Sequence, residues 1–351
     1  MNWKEGLRQT GVPAALGAAL LFGAGTPLAK LLLDAVNPWM LAGLLYLGSG
    51  VGLTLYRLLS HAPAVRLPRN EVPWFAGAIL SGGIIGPVLL MFGLTGMPAS
   101  GASLLLNAES VFTALLAWFV FRENFDRRIA LGMVAIVAGA ALLSGGGRTR
   151  WSTAELSPAL LVLGACLAWG IDNNMTRKVS GADATWVASI KGLAAGSVNL
   201  ILALESGARL PSIPMAGAAM LVGLLAYGVS LSMFVVALRH LGSARTGAYF
   251  SIAPFFGAML AVVMGDPVTR PLLGASVLMG IGVWLHLTER HEHVHTHESM
   301  EHDHEHVHDE HHQHAHDMPT APGERHTHRH RHDAMTHSHA HAPDIHHRHE
   351  H

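Results

Sequence analysis

Long apolar stretches follow one another along the first 290 residues, with short polar turns between them. A helix needs about 20 apolar residues to cross the hydrocarbon layer of a membrane. Ten stretches of this kind are predicted, at residues 12–33, 39–59, 74–95, 101–121, 129–143, 157–176, 184–204, 215–238, 246–264 and 271–287. Turn residues such as Asn37-Pro38 and Asp266-Pro267 separate them. The pattern predicts an all-α membrane protein with ten transmembrane helices.

The ten predicted spans form two similar halves. Phe22-Gly23 in the first span recurs as Trp169-Gly170 in the sixth, and Gly101-Ala102 recurs as Gly247-Ala248. The shift between such matches stays between 142 and 147 residues along the chain. Because each half has an odd number of spans, the second half must enter the membrane from the opposite face. Two inverted five-helix repeats are typical of secondary transporters, which bind their substrate near the midplane between the halves.

The repeat and the composition divide the chain into three parts. Residues 1–145 form the first repeat, residues 156–289 the second, and residues 291–351 a polar tail. The tail contains 23 of the 26 histidines, with 4 Arg and 12 acidic residues, whereas the chain before it has 19 Lys and Arg and 12 acidic residues. Charged residues make up 13% of the chain, about half the share that is usual in soluble domains. This composition excludes an ordinary soluble protein.

Positive charge is distributed unequally between the two sets of predicted loops. Twelve Lys and Arg residues lie on the side of the N-terminus and five on the other side. Cytoplasmic loops retain positive charge, so the excess marks the cytoplasmic side. We therefore expect a multi-pass protein of the cell (inner or plasma) membrane with both termini in the cytoplasm.

A few ionisable and polar side chains fall inside the predicted spans, where a charge costs about 2.5 to 3.5 kcal/mol or more and invites a functional hypothesis. Glu109 lies near the middle of the fourth span, close to Asn107, and Lys191 lies inside the seventh, while Asp172 and Asn173 lie late in the sixth. In a functional interpretation these groups face a central cavity. Glu109 then binds protons or a cationic solute, and Lys191 binds a carboxylate or phosphate. In the alternative, Lys191 pairs with Glu109 or Asp172 and stabilises the bundle.

Aromatic and helix-weakening residues extend the candidate pathway. Tyr46 stands in the first half where Lys191 stands in the second, and Trp169 and Tyr249 lie near the weakened helix segments. Glycine and proline can expose carbonyl groups that line a pathway, although small residues also serve close helix packing. The candidate hinge residues are Gly25, Pro27, Gly83, Pro87 and Pro254.

The stretch from Leu105 to Glu123 resembles the signature of EamA domains in the drug/metabolite transporter (DMT) superfamily. The pattern of that family places a proline about a dozen residues before an acidic span end. The second half has this arrangement as Pro254 before Asp266, whereas the first half has Ser110 instead of the proline. The resemblance covers the chain from about residue 13 to residue 287. It implies a ten-span, two-repeat transporter of small solutes or metabolites, often an exporter, and does not specify the substrate.

Histidine alternates with other residues through most of the tail. The tail has almost no large apolar side chain with which to form a core, so it is predicted to be disordered. Neutral imidazole binds Zn, Ni, Co and Cu ions, and the interleaved carboxylates add further ligands. The alternative is a solvated chain with no specific ligand. The candidate metal ligands are His291, His293, His295, His297, His302, His304, His306 and His308.

The leading interpretation is a secondary active transporter that moves a small metabolite outward by alternating access. The alternatives are a Zn, Ni or Co efflux transporter fed by the tail, and a membrane-anchored metal buffer. No enzyme is predicted, because two His-Glu-x-x-His matches in the tail lack the stable helix of a zinc protease. The expected partners are the lipid bilayer, a small solute and divalent ions at the tail. Neither nucleic acid nor a required cofactor is expected, and the oligomeric state is left open.

Overall fold

The computed structural model describes residues 11–121, 127–145, 153–179, 182–234, 236–237, 246, 249–287, 292–297, 300–306, 326–332 and 335–340. The chain divides into two units, Met1–Glu289 and Arg290–His351. The first unit is helical in its described part, and the second contains short strands.

The first unit is built from helices that follow one another through short connections. Its α-helices include α1 (Gly11–Leu32), α2 (Pro38–Leu59), α3 (Val72–Ala78), α4 (Gly86–Thr95), α5 (Ala99–Leu105), α6 (Ala108–Phe121), α7 (Arg127–Gly145), α8 (Thr153–Thr176), α9 (Ala184–Glu205), α10 (Ile213–Gly223), α11 (Ala253–Val263) and α12 (Arg270–Leu287). Two π-helical segments, π1 (Ile79–Ile85) and π2 (Leu224–Val229), connect α3 to α4 and follow α10. A short 3₁₀ turn, Arg177–Val179, extends α8.

Seven helical stretches in the described part of the chain are long and apolar enough to cross a membrane. They are Gly11–Leu32, Pro38–Leu59, Val72–Thr95, Ala99–Leu116, Arg127–Ser144, Ala184–Glu205 and Ile213–Phe234. Two shorter apolar helices follow, Ala253–Val263 and Arg270–Leu285. These stretches confirm a multi-pass helical membrane protein, and the total of ten spans stays a prediction.

The third and eighth predicted spans are interrupted in the same way. At the end of π1, the Gly86 N–H donates to the Ser81 carbonyl, and after π2 the Ser230 N–H donates to the Leu225 carbonyl. Both bonds reach back five residues instead of the four of an α-helix. The starts of the two segments are 145 residues apart, which is the shift of the sequence repeat. The two halves therefore deviate from α-helical geometry at matching positions.

Helices α2 and α9 pack with their backbones almost in contact. A Cβ atom placed on Gly192 would lie 2.6 Å from the backbone nitrogen of Gly50, and one placed on Gly196 would lie 2.5 Å from that of Leu47. Real Cβ atoms do not approach other heavy atoms so closely, so this contact requires glycine. Small residues at a helix interface are a common device for close packing in membranes.

An ion pair joins the end of α2 to the start of α9. Arg57 Nη1 donates to Asp183 Oδ1 at 2.6 Å and to Thr185 Oγ1 at 2.7 Å. Partial burial acts to raise the pKa of Asp183, but hydrogen bonds from Thr185 and Trp186 and the charge of Arg57 outweigh it and hold the pKa below its ordinary value. The ionised carboxylate therefore stabilises the fold above its unfolded pKa. That contribution is lost as the pH falls through the lowered pKa.

Apolar side chains fill the space between the helices and also cover the outside of the first unit. The core includes the fully buried Met40, Leu45 and Leu90. Large apolar side chains such as Phe119 and Val263 are instead exposed. Exposed apolar side chains of this kind are suited to contact with the hydrocarbon of a lipid bilayer, as expected for a membrane protein.

Four segments of the second unit pair as antiparallel strands. β1 (Glu292–His297) pairs with β4 (Met335–Ala340), and β2 (Met300–His306) pairs with β3 (His326–His332). Histidine at every second position gives these segments the two-residue period of a β-strand. The prediction of a disordered tail, made for residues 291–351 as a whole, stays a prediction.

Replacing Gly192 tests the close contact between α2 and α9. We expect Gly192→Leu to lower the midpoint of thermal unfolding in detergent strongly or to prevent folding, because overpacking costs about 1–3 kcal/mol or more. Gly217→Leu in α10 is the matched control, since a Cβ atom there meets nothing within 4 Å. Equal midpoints for the two variants would contradict the close packing.

Candidate functional site

Segment π1 brings the backbone of Gly82 against side chains from α2 and α8. The Tyr46 hydroxyl and Trp169 Nε1 both donate to the Gly82 carbonyl, at 2.8 and 2.9 Å. A Cβ atom on Gly82 would lie 1.9 Å from Asp172 Oδ2, so any larger residue would displace that carboxylate. Tyr46, Trp169 and Asp172, which the sequence names as pathway candidates, therefore meet at one point of the bundle.

Lys191 forms an ion pair with Asp172 across the interface of α8 and α9. The Lys191 Nζ lies 2.6 and 2.7 Å from the two carboxylate oxygens. The hydroxyl of Thr176 donates to Asp172 Oδ1 at 2.8 Å. Of the partners that the sequence offered to Lys191, the structure selects Asp172 rather than Glu109. In this conformation the charge of Lys191 is neutralised by a protein carboxylate.

Glu109 occupies the neighbouring interface of α6 and α8. Its Oε1 accepts a hydrogen bond of 2.8 Å from Asn173 Nδ2, which also donates to Thr113 Oγ1 at 3.2 Å. Glu109 is partly exposed and Asn173 is exposed, so the pair lies at the edge of the packed core rather than inside it. Asp172 and Lys191 act electrostatically on Glu109. With Glu109 ionised, the three charged side chains together carry one negative charge.

Aromatic rings continue the site from α2 towards α1. The ring centroids of Tyr46 and Tyr227 are 5.5 Å apart, and those of Tyr227 and Phe22 are 6.0 Å apart. Phe22 in turn lies 5.2 Å from Phe250. Tyr227 belongs to π2, whereas Tyr46 is bonded to π1. The two interrupted helices therefore meet through this pair of tyrosines.

Two of the predicted pathway residues make their contacts elsewhere. Asn107 lies in the turn between α5 and α6, where it donates to the Leu104 carbonyl at 2.9 Å and contacts Met279 Sδ at 3.9 Å. Tyr249 packs against a small cluster that includes Ala14 and Ala237. The structure thus groups Asp172, Lys191, Tyr46 and Trp169 but not Asn107 or Tyr249.

The predicted hinge residues occupy helix interruptions and helix starts. Gly25 and Pro27 lie inside α1, and a Cβ atom on Gly25 would come within 3.0 Å of the Ala226 Cβ in π2. Gly83 lies in π1, and Pro87 and Pro254 lie in the first turns of α4 and α11. Pro254 lies where a helix begins and removes no helical hydrogen bond, whereas Pro27 and Pro87 lie inside continuous helical stretches and each remove one. The role of these five residues as hinges stays a prediction.

Asn199 is a site residue that the sequence reasoning missed. It is fully buried in α9 and donates to the Gly83 carbonyl at 3.2 Å. Lys191 and Asn199 are eight residues apart, which places them on one face of a helix. This spacing of two polar residues in an apolar span is the signal that would have found it. Thr176 and Thr113 offered no such signal, because threonine is common in membrane helices.

The predicted metal ligands of the tail have different positions in the strands. His293, His295, His302, His304 and His306 each pair with a histidine of the opposite strand. His297 pairs with Met335. His291 and His308 lie outside the described residues.

The bundle of apolar helices, with polar groups gathered around two interrupted helices, defines a multi-pass membrane transporter. The EamA-like transporter family matches the chain twice, at residues 9–145 and 156–288. The chain therefore belongs to the EamA-like transporter family, within the DMT superfamily that the sequence indicated. As members of this family, the protein and its relatives are transporters and not enzymes.

Several relatives are similar over most of their length. An uncharacterized transporter of Methanothermobacter thermautotrophicus is 28% identical over 78% of this chain and 85% of its own. A probable terminal-alkyne amino-acid exporter of Streptantibioticus cattleyicolor is 28% identical over 68% of this chain and 84% of its own. A solved crystal structure superposes with a TM-score of 0.60 at 18% identity, over 80% of this chain and 99% of its own, and shows the same fold.

A shorter similarity points to the same class of protein. A probable amino-acid metabolite efflux pump of Salmonella typhimurium is 33% identical over 24% of this chain and 28% of its own.

A double-mutant cycle tests the pair of Asp172 and Lys191. Each single variant, Asp172→Asn or Lys191→Gln, should destabilise the protein by about 3–5 kcal/mol, because it leaves one charge buried without its partner. The double variant should be less destabilised than the sum of the two, by about 0.5–3 kcal/mol, in unfolding free energies measured in mixed micelles. Additive effects would show that the two side chains do not interact.

Proposed function

We propose that the protein is a secondary active transporter that exports a small amine-bearing metabolite of the amino-acid type. The observation that carries this proposal is the accessible Glu109, held by Asn173 beside the ion pair of Asp172 and Lys191. The exporter and the efflux pump among the relatives are both named for amino acids or their metabolites. The ammonium group of such a solute would bind the Glu109 carboxylate and neutralise its negative charge.

The charge of the site suggests how transport is coupled to protons. Lys191 and Asp172 neutralise each other, so an ionised Glu109 leaves one negative charge inside the membrane. Burying an uncompensated charge there costs several kcal/mol. The site is therefore best able to change its orientation when Glu109 holds either a proton or the ammonium group of the solute. Exchange of one for the other drives export with the inward proton gradient.

Alternating access of two inverted repeats is the proposed movement. It is supported by the two matches to the family, one in each half, and by π1 and π2 at equivalent positions. The backbone hydrogen bonds of π1 and π2 are irregular, and such segments occur frequently at functional sites. One repeat would rock against the other about the contact of α2 with α9. The backbone would bend during this movement at the candidate hinges Gly25, Pro27, Gly83, Pro87 and Pro254.

We further propose that the protein lies in the cell membrane with both termini in the cytoplasm, which the excess of Lys and Arg in the loops on the side of the N-terminus supports. The histidine tail would then face the cytoplasm. Metal efflux is the competing function, with the tail feeding ions to the bundle. Within the described part of the first unit, no three His, Cys, Asp or Glu side chains form a group that could hold a metal ion. A metabolite is therefore the preferred cargo.

Glu109→Gln tests the coupling role. In proteoliposomes with a panel of labelled amino acids and their amides, we expect the variant to lose pH-gradient-driven transport by on the order of tenfold or more, because glutamine cannot exchange a proton. Glu205→Gln at the exposed end of α9 is the matched control and should transport like the wild type. Unchanged pH-driven transport in Glu109→Gln would remove this residue from the mechanism.

Truncation after Arg290 separates the two cargo hypotheses. The shortened protein should transport the metabolite at a rate close to that of the full chain, because the site lies entirely within the first unit. The measurement is solute flux in proteoliposomes, with Zn²⁺ and Ni²⁺ flux assayed in parallel. Metal flux by the full chain that disappears on truncation, with no flux of any organic solute, would favour the metal efflux hypothesis.

A further inference from the structure

The loop between α2 and α3 lies at one edge of the apolar part of the bundle. The stretches Pro38–Leu59 and Val72–Thr95, both long and apolar enough to cross a membrane, end and begin on its two sides. The loop therefore lies at the level where hydrocarbon gives way to lipid headgroups. It contains Arg66 and Arg69, which are both exposed, and one acidic residue, the partly exposed Glu71.

Two contacts hold this loop against the rest of the bundle. Arg57 Nη2 donates to the Pro63 carbonyl at 2.8 Å. Leu67 packs against a buried cluster that includes Phe75 in α3 and Val179 in the turn after α8. Because Leu67 lies between the two arginines of the loop in the sequence, this contact keeps both of them beside the start of α3 and the end of α8.

The turn after α8 adds a third positive charge to this region. Lys178 Nζ lies 5.9 Å from the centroid of the Trp74 ring, and both side chains are exposed. A cation over a tryptophan ring is attracted by the negative face of the ring. The next residue, Phe75, stacks on Trp186 of α9 with 5.7 Å between ring centroids. These two aromatic contacts join the start of α3 to the turn after α8 and to α9.

The charges of this region are unbalanced. The two arginines of the loop and Lys178 carry three positive charges, against the one negative charge of Glu71. Asp183 at the start of α9 is neutralised by Arg57, whose Nη1 lies 2.6 Å from its Oδ1. The basic surface is defined here as Arg66, Arg69, Trp74 and Lys178. It therefore presents an excess of positive charge at the level of the headgroups.

We propose that the basic surface binds the headgroup of an anionic phospholipid of the surrounding bilayer. Arginine can donate two parallel hydrogen bonds to phosphate oxygen atoms, and lysine contributes a point charge. Tryptophan prefers the boundary between hydrocarbon and headgroups, which matches the position of Trp74 at the start of a span. Basic pockets at the ends of membrane helices bind anionic headgroups in the same way. This proposal does not depend on which solute the protein transports.

Apolar side chains on both sides of the loop favour a lipid over a soluble anion. Leu58 and Leu59 at the end of α2 are 68% and 72% exposed, and Val72 at the start of α3 is 48% exposed. The acyl chains of a bound lipid would cover these side chains while its phosphate contacts the arginines. A soluble phosphate ion would gain nothing from them.

The first test is native mass spectrometry of the full chain, released from micelles that contain equal amounts of phosphatidylglycerol and phosphatidylcholine. The wild type should retain phosphatidylglycerol preferentially. Arg66→Gln together with Arg69→Gln should lower this preference on the order of tenfold, because each basic residue near the headgroups attracts anionic lipid. Arg209→Gln with Arg270→Gln is the matched control, since it removes the same charge from exposed residues outside the basic surface. No preference in the wild type, or equal losses in both variants, would overturn the proposal.

The second test separates a lipid site from a site for soluble anions and changes no charge. Trp74→Leu removes the ring under Lys178 and should lower the preference for phosphatidylglycerol several-fold. Trp284→Leu, which removes an exposed tryptophan of α12, should leave it unchanged. An excess of inorganic phosphate should not displace the bound lipid from the wild type. Displacement by inorganic phosphate, or equal effects of the two tryptophan substitutions, would overturn the proposal.

Discussion

The bundle depends on the direct contact between the backbones of α2 and α9. Gly50 and Gly192 allow this approach, and Tyr46 and Lys191 lie within one helical turn of them on the same two helices. A Cβ atom on Gly83 would come within 3.8 Å of Tyr46 Cε1 and 3.5 Å of Lys191 Cγ, so π1 packs against both side chains. The glycine contact therefore fixes the two side chains around which the polar site is assembled.

Backbone groups inside a bilayer must find partners within the protein, and this requirement explains the polar side chains around π1. Tyr46 and Trp169 both donate to the Gly82 carbonyl, and Asn199 donates to the Gly83 carbonyl. Such irregular backbone is tolerated at membrane depth only where it is buried in protein or lines a cavity. These three side chains thus have a structural reason to be present, independent of any solute. Glu109 differs, because its hydrogen bond is to another side chain and satisfies no backbone group.

The sequence predicted a multi-pass helical membrane protein correctly, because long apolar stretches are a local pattern. It left the partner of Lys191 undecided between Glu109 and Asp172, since the choice depends on how α8 is rotated between α6 and α9. The rotation of α8 about its axis depends on packing over the whole interface, and no short sequence motif predicts it. Asn199 was missed although its spacing from Lys191 was visible.

The ion pair of Asp172 and Lys191 and the carboxylate of Glu109 have different consequences for the proposed reorientation of the site. The charges of Asp172 and Lys191 cancel in every step in which the pair stays closed, so the pair adds no net charge to the moving site. Glu109 accepts its hydrogen bond from the neutral amide of Asn173 rather than from a cation, so in the proposed mechanism its carboxylate is neutralised from outside the protein. Proton and ammonium group would then compete for the same oxygen atoms. A single carboxylate is sufficient in this scheme to link an inward proton flux to an outward solute flux.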